Sequence, residues 1–203
     1  MQQSPNYTSQ QKTVMAMVLL NAISVPLMLS SVNVALPVIA EELAMSAVGL
    51  SWIPTAFLMA SAMFILIFGR LADMYGRKRI FLIGAASVVF ASLLAAAAPN
   101  SSILIAARFL QGVGASMLYA TQMAIVTSVF PIASRGRVIG LVVSMIYFGL
   151  AAGPLIGGFT VDLLGWRSIF LLQIPIAVLV FYVGAFRVQG EWAAEDRGKF
   201  DYS

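Results

Sequence analysis

The chain has 203 residues, of which 61% are apolar and 10% charged, with a formal net charge of +4 and neither cysteine nor histidine. Soluble domains carry about 25% charged residues, so too little polar surface exists here to cover one, and a mean hydropathy of +0.94 points to lipid as the solvent. Without cysteine there are no disulfides or thiolate metal sites, and without histidine the commonest general base and metal ligand are missing. No cofactor or metal is expected. The excess basic charge is placed for membrane orientation, not for nucleic acid.

Residues 1–12 are a polar tail ending at Lys12. The apolar run that follows is too long for a signal-peptide core and lacks a small-residue cleavage site, so it reads as a retained span. A bilayer core takes about 20 apolar residues per helix. Runs at about 13–35, 48–68, 80–98, 102–129, 137–160 and 167–187 qualify, and in lipid they must be helices. Ten Lys and Arg residues fall in segments on one side, from Lys12 and Arg70 through Arg135 and Arg137 to Arg187, Arg197 and Lys199. Arg167 alone falls on the other, and Arg108 lies within a span. This bias predicts a multi-pass cell-membrane protein with both termini cytoplasmic. Residues 188–203 read as a cytoplasmic linker leading toward a second half.

Gly69-Arg70-Leu-Ala-Asp73-Met-Tyr-Gly76-Arg77-Lys78-Arg79 forms a charged, glycine-bearing turn between the second and third runs. Glycines allow a sharp turn there, and Asp73 with the basic cluster can make charge-assisted bonds that differ between two conformations. Arg108-Phe-Leu-Gln111-Gly112-Val-Gly114 puts a costly cation inside the fourth run, where it either faces a cavity or partner or snorkels to the outer interface. Asn33, Tyr119, Gln122, Tyr147 and Gln173 are further polar candidates inside spans. Gly149, Gly153 and Gly157 recur every four residues with Pro154 and Gly158 among them, a spacing that lets helices meet backbone to backbone.

These stretches, in this order, resemble the signatures of the major facilitator superfamily. Asn33-Val-Ala-Leu-Pro37, and Trp166-Arg167 with Phe170, look like the fourteen-span drug:proton antiporter branch. The resemblance implies an all-α half-bundle of six helices, built as two inverted three-helix repeats, with helices 1, 2, 4 and 5 around a cavity. It implies small-molecule efflux by alternating access, with a small organic substrate and the bilayer as partners. Asn33, Arg108, Gln111, Tyr119, Gln122 and Tyr147 become cavity candidates. Gly69, Arg70, Asp73, Gly76, Arg77 and Arg79 become a conformational latch. Gly149, Gly153, Pro154, Gly157 and Gly158 become the antiporter-type helix-5 motif.

The chain departs from that branch in two places. Met28 stands where the branch carries a helix-1 aspartate, and no carboxylate falls at mid-membrane depth. Phe200-Asp201-Tyr202, which in such relatives leads into a seventh helix, is followed only by Ser203. A second half of six to eight helices is therefore expected, as a separate chain or as further polypeptide; self-pairing is the other route. Enzymatic activity is disfavoured, since no nucleophile–base constellation is present. A membrane scaffold that binds a partner protein is the alternative function.

Overall fold

In the computed structural model, residues 7–188 and Gly190 are described. The tail expected before Tyr7, and the linker expected beyond Val188 with Phe200-Asp201-Tyr202, otherwise lie outside the described residues. Six α-helices run along the described residues: α1 Ser9–Glu42, α2 Ala47–Tyr75, α3 Arg77–Ala96, α4 Ser101–Val129, α5 Ile132–Leu164 and α6 Arg167–Tyr182. α6 continues as one π turn, Val183–Arg187. All six are long and apolar enough to cross a membrane, and the chain is a multi-pass membrane protein.

α1, α2 and α5 overrun their apolar runs by several residues, and side-chain caps set the starts of α1, α2 and α4. Thr8 Oγ1 accepts from the Gln11 N–H and Gln11 Oε1 accepts from the Thr8 N–H, a reciprocal capping box that starts α1. Ser46 and Asn100 cap α2 and α4 by accepting from Gly49 N and Ile103 N. At 34 residues, α1 is about 51 Å long, well beyond a hydrocarbon core of roughly 30 Å. The charged stretch Gly69–Arg79 is therefore not an open turn. α2 stays helical to Tyr75 and α3 restarts at Arg77, with only Gly76 between them at φ 110°. Arg135 and Arg137 likewise sit in the first turns of α5, which begins just after Pro131.

α1 packs along α5 and α2 along α4, and these are the two most extensive pairings; α3 lies on α4 and on α6. Exchanging the first three helices with the last three turns one leading pair into the other, as two inverted repeats require. α1 and α4 form the centre, with 56% of an 18-residue apolar stretch of each buried, against 22% for α2 and 17% for α5. Those two helices do not touch each other and leave long apolar faces open.

Candidate functional site

Arg108 stands seven residues into α4 and is fully buried. Its Nε donates to the Ile53 carbonyl at 3.2 Å, and its Nη1 donates to Gln111 Oε1 at 2.6 Å. Nη1 also lies 3.2 Å from the Met28 sulfur, and the guanidinium sits 4.5 Å over the Phe57 ring. Gln111 Nε2 passes the chain on to Ser92 Oγ at 2.8 Å. One arginine thus ties α1, α2, α4 and, through Gln111, α3. Its Nη2 is buried with no hydrogen-bond partner among the described residues. Every partner it does have is neutral, so the charge is held by dipoles and a ring face rather than by a counter-charge.

Gln122, deeper along α4, is also buried, and its Oε1 accepts a hydrogen bond from Asn21 Nδ2 of α1. Asn21 is a buried polar residue that the reading of polar positions passed over, although a single amide in an apolar run is itself the signal for an interhelical bond. Gln173 on α6 donates to Ser24 Oγ of α1 at 2.8 Å. Tyr119 is half-buried against the core. Asn33 and Tyr147 are exposed, on faces of α1 and α5 that the bundle does not cover. The six cavity candidates are not one cluster: Arg108 and Gln111 are bonded together, Gln122 belongs to a separate bond, and Asn33 and Tyr147 lie outside.

The glycines of α5 form a seam on α1. A Cβ on Gly149 would lie 2.6 Å from the Ile23 carbonyl oxygen. One on Gly153 would lie 2.9 Å from the Leu27 carbonyl oxygen, and one on Gly157 would lie 2.8 Å from Ser31 Cα. Ser30 and Ser31 hydroxyls lock the seam by donating to the Leu150 and Gly153 carbonyls, each at 2.9 Å. Gly158 is outside this contact, with only Val34 Cγ1 at 3.9 Å, and Pro154 is exposed. Gly112 of α4 repeats the device against α2: its Cβ would fall 2.3 Å from the Phe57 carbonyl oxygen.

The sequence profile of the Major Facilitator Superfamily matches residues 18–199. The chain belongs to this family. Its members are transporters, not enzymes. The chain is 38% identical over 173 residues to the multidrug resistance protein Stp of Mycobacterium tuberculosis, covering 85% of this chain and 32% of that protein. It is 35% identical over 155 residues to the riboflavin transporter RibZ of Clostridioides difficile (76% and 34%). It is 37% identical over 158 residues to a methylenomycin A resistance protein of Bacillus subtilis (77% and 34%). The chain spans about a third of the length of these curated relatives.

Within this major facilitator half-bundle, two arginine ties stand at opposite ends in equivalent places. Gly76, at φ 110°, precedes Arg77, which bonds Asp73 at 2.9 Å and reaches the end of α4 at Ser128 Oγ, 2.7 Å, and the Ala124 carbonyl. Gly165, at φ 78°, precedes Trp166 and Arg167, which reach the end of α1. Trp166 Nε1 donates to Glu42 Oε2 at 2.7 Å, Arg167 pairs with Glu42 Oε1, and Arg167 also reaches the Ala98 carbonyl. Arg70 and Arg79 are exposed at the first tie; Gly69 faces α4 inside α2, with Ala120 Cβ 4.0 Å from where a Cβ would stand. The tie at Glu42 is a feature the sequence reading missed. A helix-end glutamate and a distant Trp-Arg pair are joined only by the fold.

Proposed function

We infer that this chain is the N-terminal half-bundle of a secondary transporter that exports small organic compounds by alternating access. The observation that carries this is the 38% identity, over 85% of the chain, to a protein named for multidrug resistance, of which it spans only 32%. The remaining length of such relatives leaves room for a second bundle of six to eight helices. That bundle would cover the exposed apolar faces of α2 and α5, where Met63, Leu66, Tyr147, Phe148 and Leu155 stand out. The basic end of the bundle is cytoplasmic in this reading, and both termini with it.

Asn33 and Tyr147 contact the compound on the open face. Arg108, Gln111, Tyr119 and Gln122 form the polar interior that is uncovered when the bundle shifts. The Asp73–Arg77 tie acts as the latch, with Gly69, Arg70, Gly76 and Arg79 around it. The seam of Gly149, Gly153 and Gly157, with Pro154 and Gly158, keeps α1 and α5 sealed during the shift. Met28 occupies the place of the branch's helix-1 acid and lies beside Arg108. The coupling group is therefore assigned to the second half.

The test is accumulation of a panel of lipophilic cationic and anionic dyes in pump-deficient cells carrying the chain with its second half. Lowered accumulation of at least one dye is expected, and Asp73→Asn or Gly153→Leu should abolish the effect. If no dye responds, the efflux reading fails. A scaffold that only binds a partner would tolerate both substitutions.

A further inference from the structure

A groove of 490 Å³ opens at the basic end of the bundle, between the start of α1 and the end of α6, away from the Arg108 network and the glycine seam. Its α1 wall is Ser9, Lys12, Thr13 and Ala16, the spacing of one helix face. Its α6 wall is Leu179, Tyr182, Val183 and Arg187. Both walls run from apolar to cationic in the same direction. Ala16 and Leu179 stand at the membrane-ward end, and Lys12, Ser9 and Arg187 at the rim, over a length of about 10 Å along α1.

The walls are fixed from behind. The π turn is closed by the Val188 N–H donating to the Val183 carbonyl at 3.2 Å, and the Val188 carbonyl accepts from Lys78 Nζ at 2.6 Å. Gly184 lies so close to α1 and α3 that a Cβ would meet Leu82 Cδ2 at 2.9 Å and Met17 Sδ at 3.0 Å. π turns of this kind recur at functional sites. Tyr182 and Phe186 pair at 5.1 Å between ring centroids and are both exposed, as aromatic residues of a membrane–water boundary are.

Among the described residues the groove is cationic without internal compensation. Lys12 and Arg187 are exposed, and neither makes an ion pair or side-chain hydrogen bond with the described residues. The one described acid at this end, Asp73, is taken by Arg77. The donor-bearing side chains that line it include those of Lys12, Arg187, Ser9 and Tyr182. The Thr13 hydroxyl is spent on the Ser9 carbonyl at 3.0 Å.

We propose that this groove holds the headgroup phosphate of an anionic phospholipid. Lys12 and Arg187 grip the phosphate, and the acyl chains run along Ala16 and Leu179. Basic pockets between spanning helices select such headgroups, and the apolar lower walls favour a lipid over a soluble anion. The site does not depend on which compound is transported, so it stands or falls separately from the efflux reading.

Native mass spectrometry of the purified chain in mild detergent tests it, with phosphatidylglycerol and phosphatidylcholine of identical acyl chains as probes. One retained phosphatidylglycerol is expected, preferred at least about tenfold over phosphatidylcholine. Each basic residue near an anionic surface is worth roughly a fivefold factor, so Lys12→Gln with Arg187→Gln should erase the preference. Arg137→Gln, which removes an exposed charge from the same end of α5, should leave it intact. Equal retention of the two lipids would overturn the proposal. So would an unchanged preference in the double variant, an equal loss in Arg137→Gln, or displacement of the lipid by millimolar inorganic phosphate.

Discussion

Gly149→Ala should weaken the bundle, whereas Gly158→Ala, nine residues on in the same helix, should not. The added Cβ at 149 would lie 2.6 Å from the Ile23 carbonyl oxygen and 3.2 Å from Leu27 N, both main-chain atoms that cannot rotate away. Ordinary contact begins near about 3.4 Å, so α1 would have to retreat by roughly 0.8 Å. The Ser30 and Ser31 bonds to α5 are 2.9 Å long and would be stretched past useful length by that movement. Overpacking and the two weakened bonds, less the helix-propensity gain of alanine, give a net loss of about 2–3 kcal/mol. At 158 the nearest atom is 3.9 Å away, and only the propensity gain of up to about 1 kcal/mol remains. Thermal unfolding in mild detergent reads both, at roughly 2–4 °C per kcal/mol for a chain of this size. A Gly149→Ala midpoint equal to or above the parent, or a Gly158→Ala loss as large, would refute the seam.

Arg108→Lys should cost about 1–3 kcal/mol of stability, because one ammonium cannot reach the Ile53 carbonyl and Gln111 in the geometry of the guanidinium; thermal unfolding measures it. Trp166→Ala should cost about 3–5 kcal/mol by emptying a buried site, while Glu42→Gln, which loses a half-exposed ion pair but can still accept from Trp166, should cost under about 1 kcal/mol. In a double-mutant cycle, Asn21→Ala and Gln122→Ala should couple by about 0.6–2 kcal/mol, as expected for a bond between spanning helices. Additive losses would show that the two amides do not interact.

The six spans were legible because a run of apolar residues long enough to cross lipid has one solution there. Their ends were harder to read, because they lie outside those runs. Thr8-x-x-Gln11 is a capping-box pattern and starts α1 at Ser9, four residues before the apolar run. At Gly69–Arg79 the charges marked where lipid ends, but not where the helix ends. Only Gly76, with its positive φ, breaks it.

The depth of Arg108 followed from its position in a span, but its burial, rather than snorkelling to the interface, did not. Its partners did not either, since they are a carbonyl, a thioether, a ring face and a glutamine on three helices. Polarity within a span also does not say which face a residue takes. Helical phase does so for Tyr147, which stands two residues before Gly149 and must point away from the α1 seam, as it does.

The central claim is that this bundle works as one half of a transporter. The mass of the particle extracted in mild detergent from its native membrane tests it most directly. The particle should hold the 203-residue sequence joined to, or tightly bound by, a second and different bundle of six to eight spans. A particle of 21.7 kDa, or an integral multiple of it, would contradict that claim.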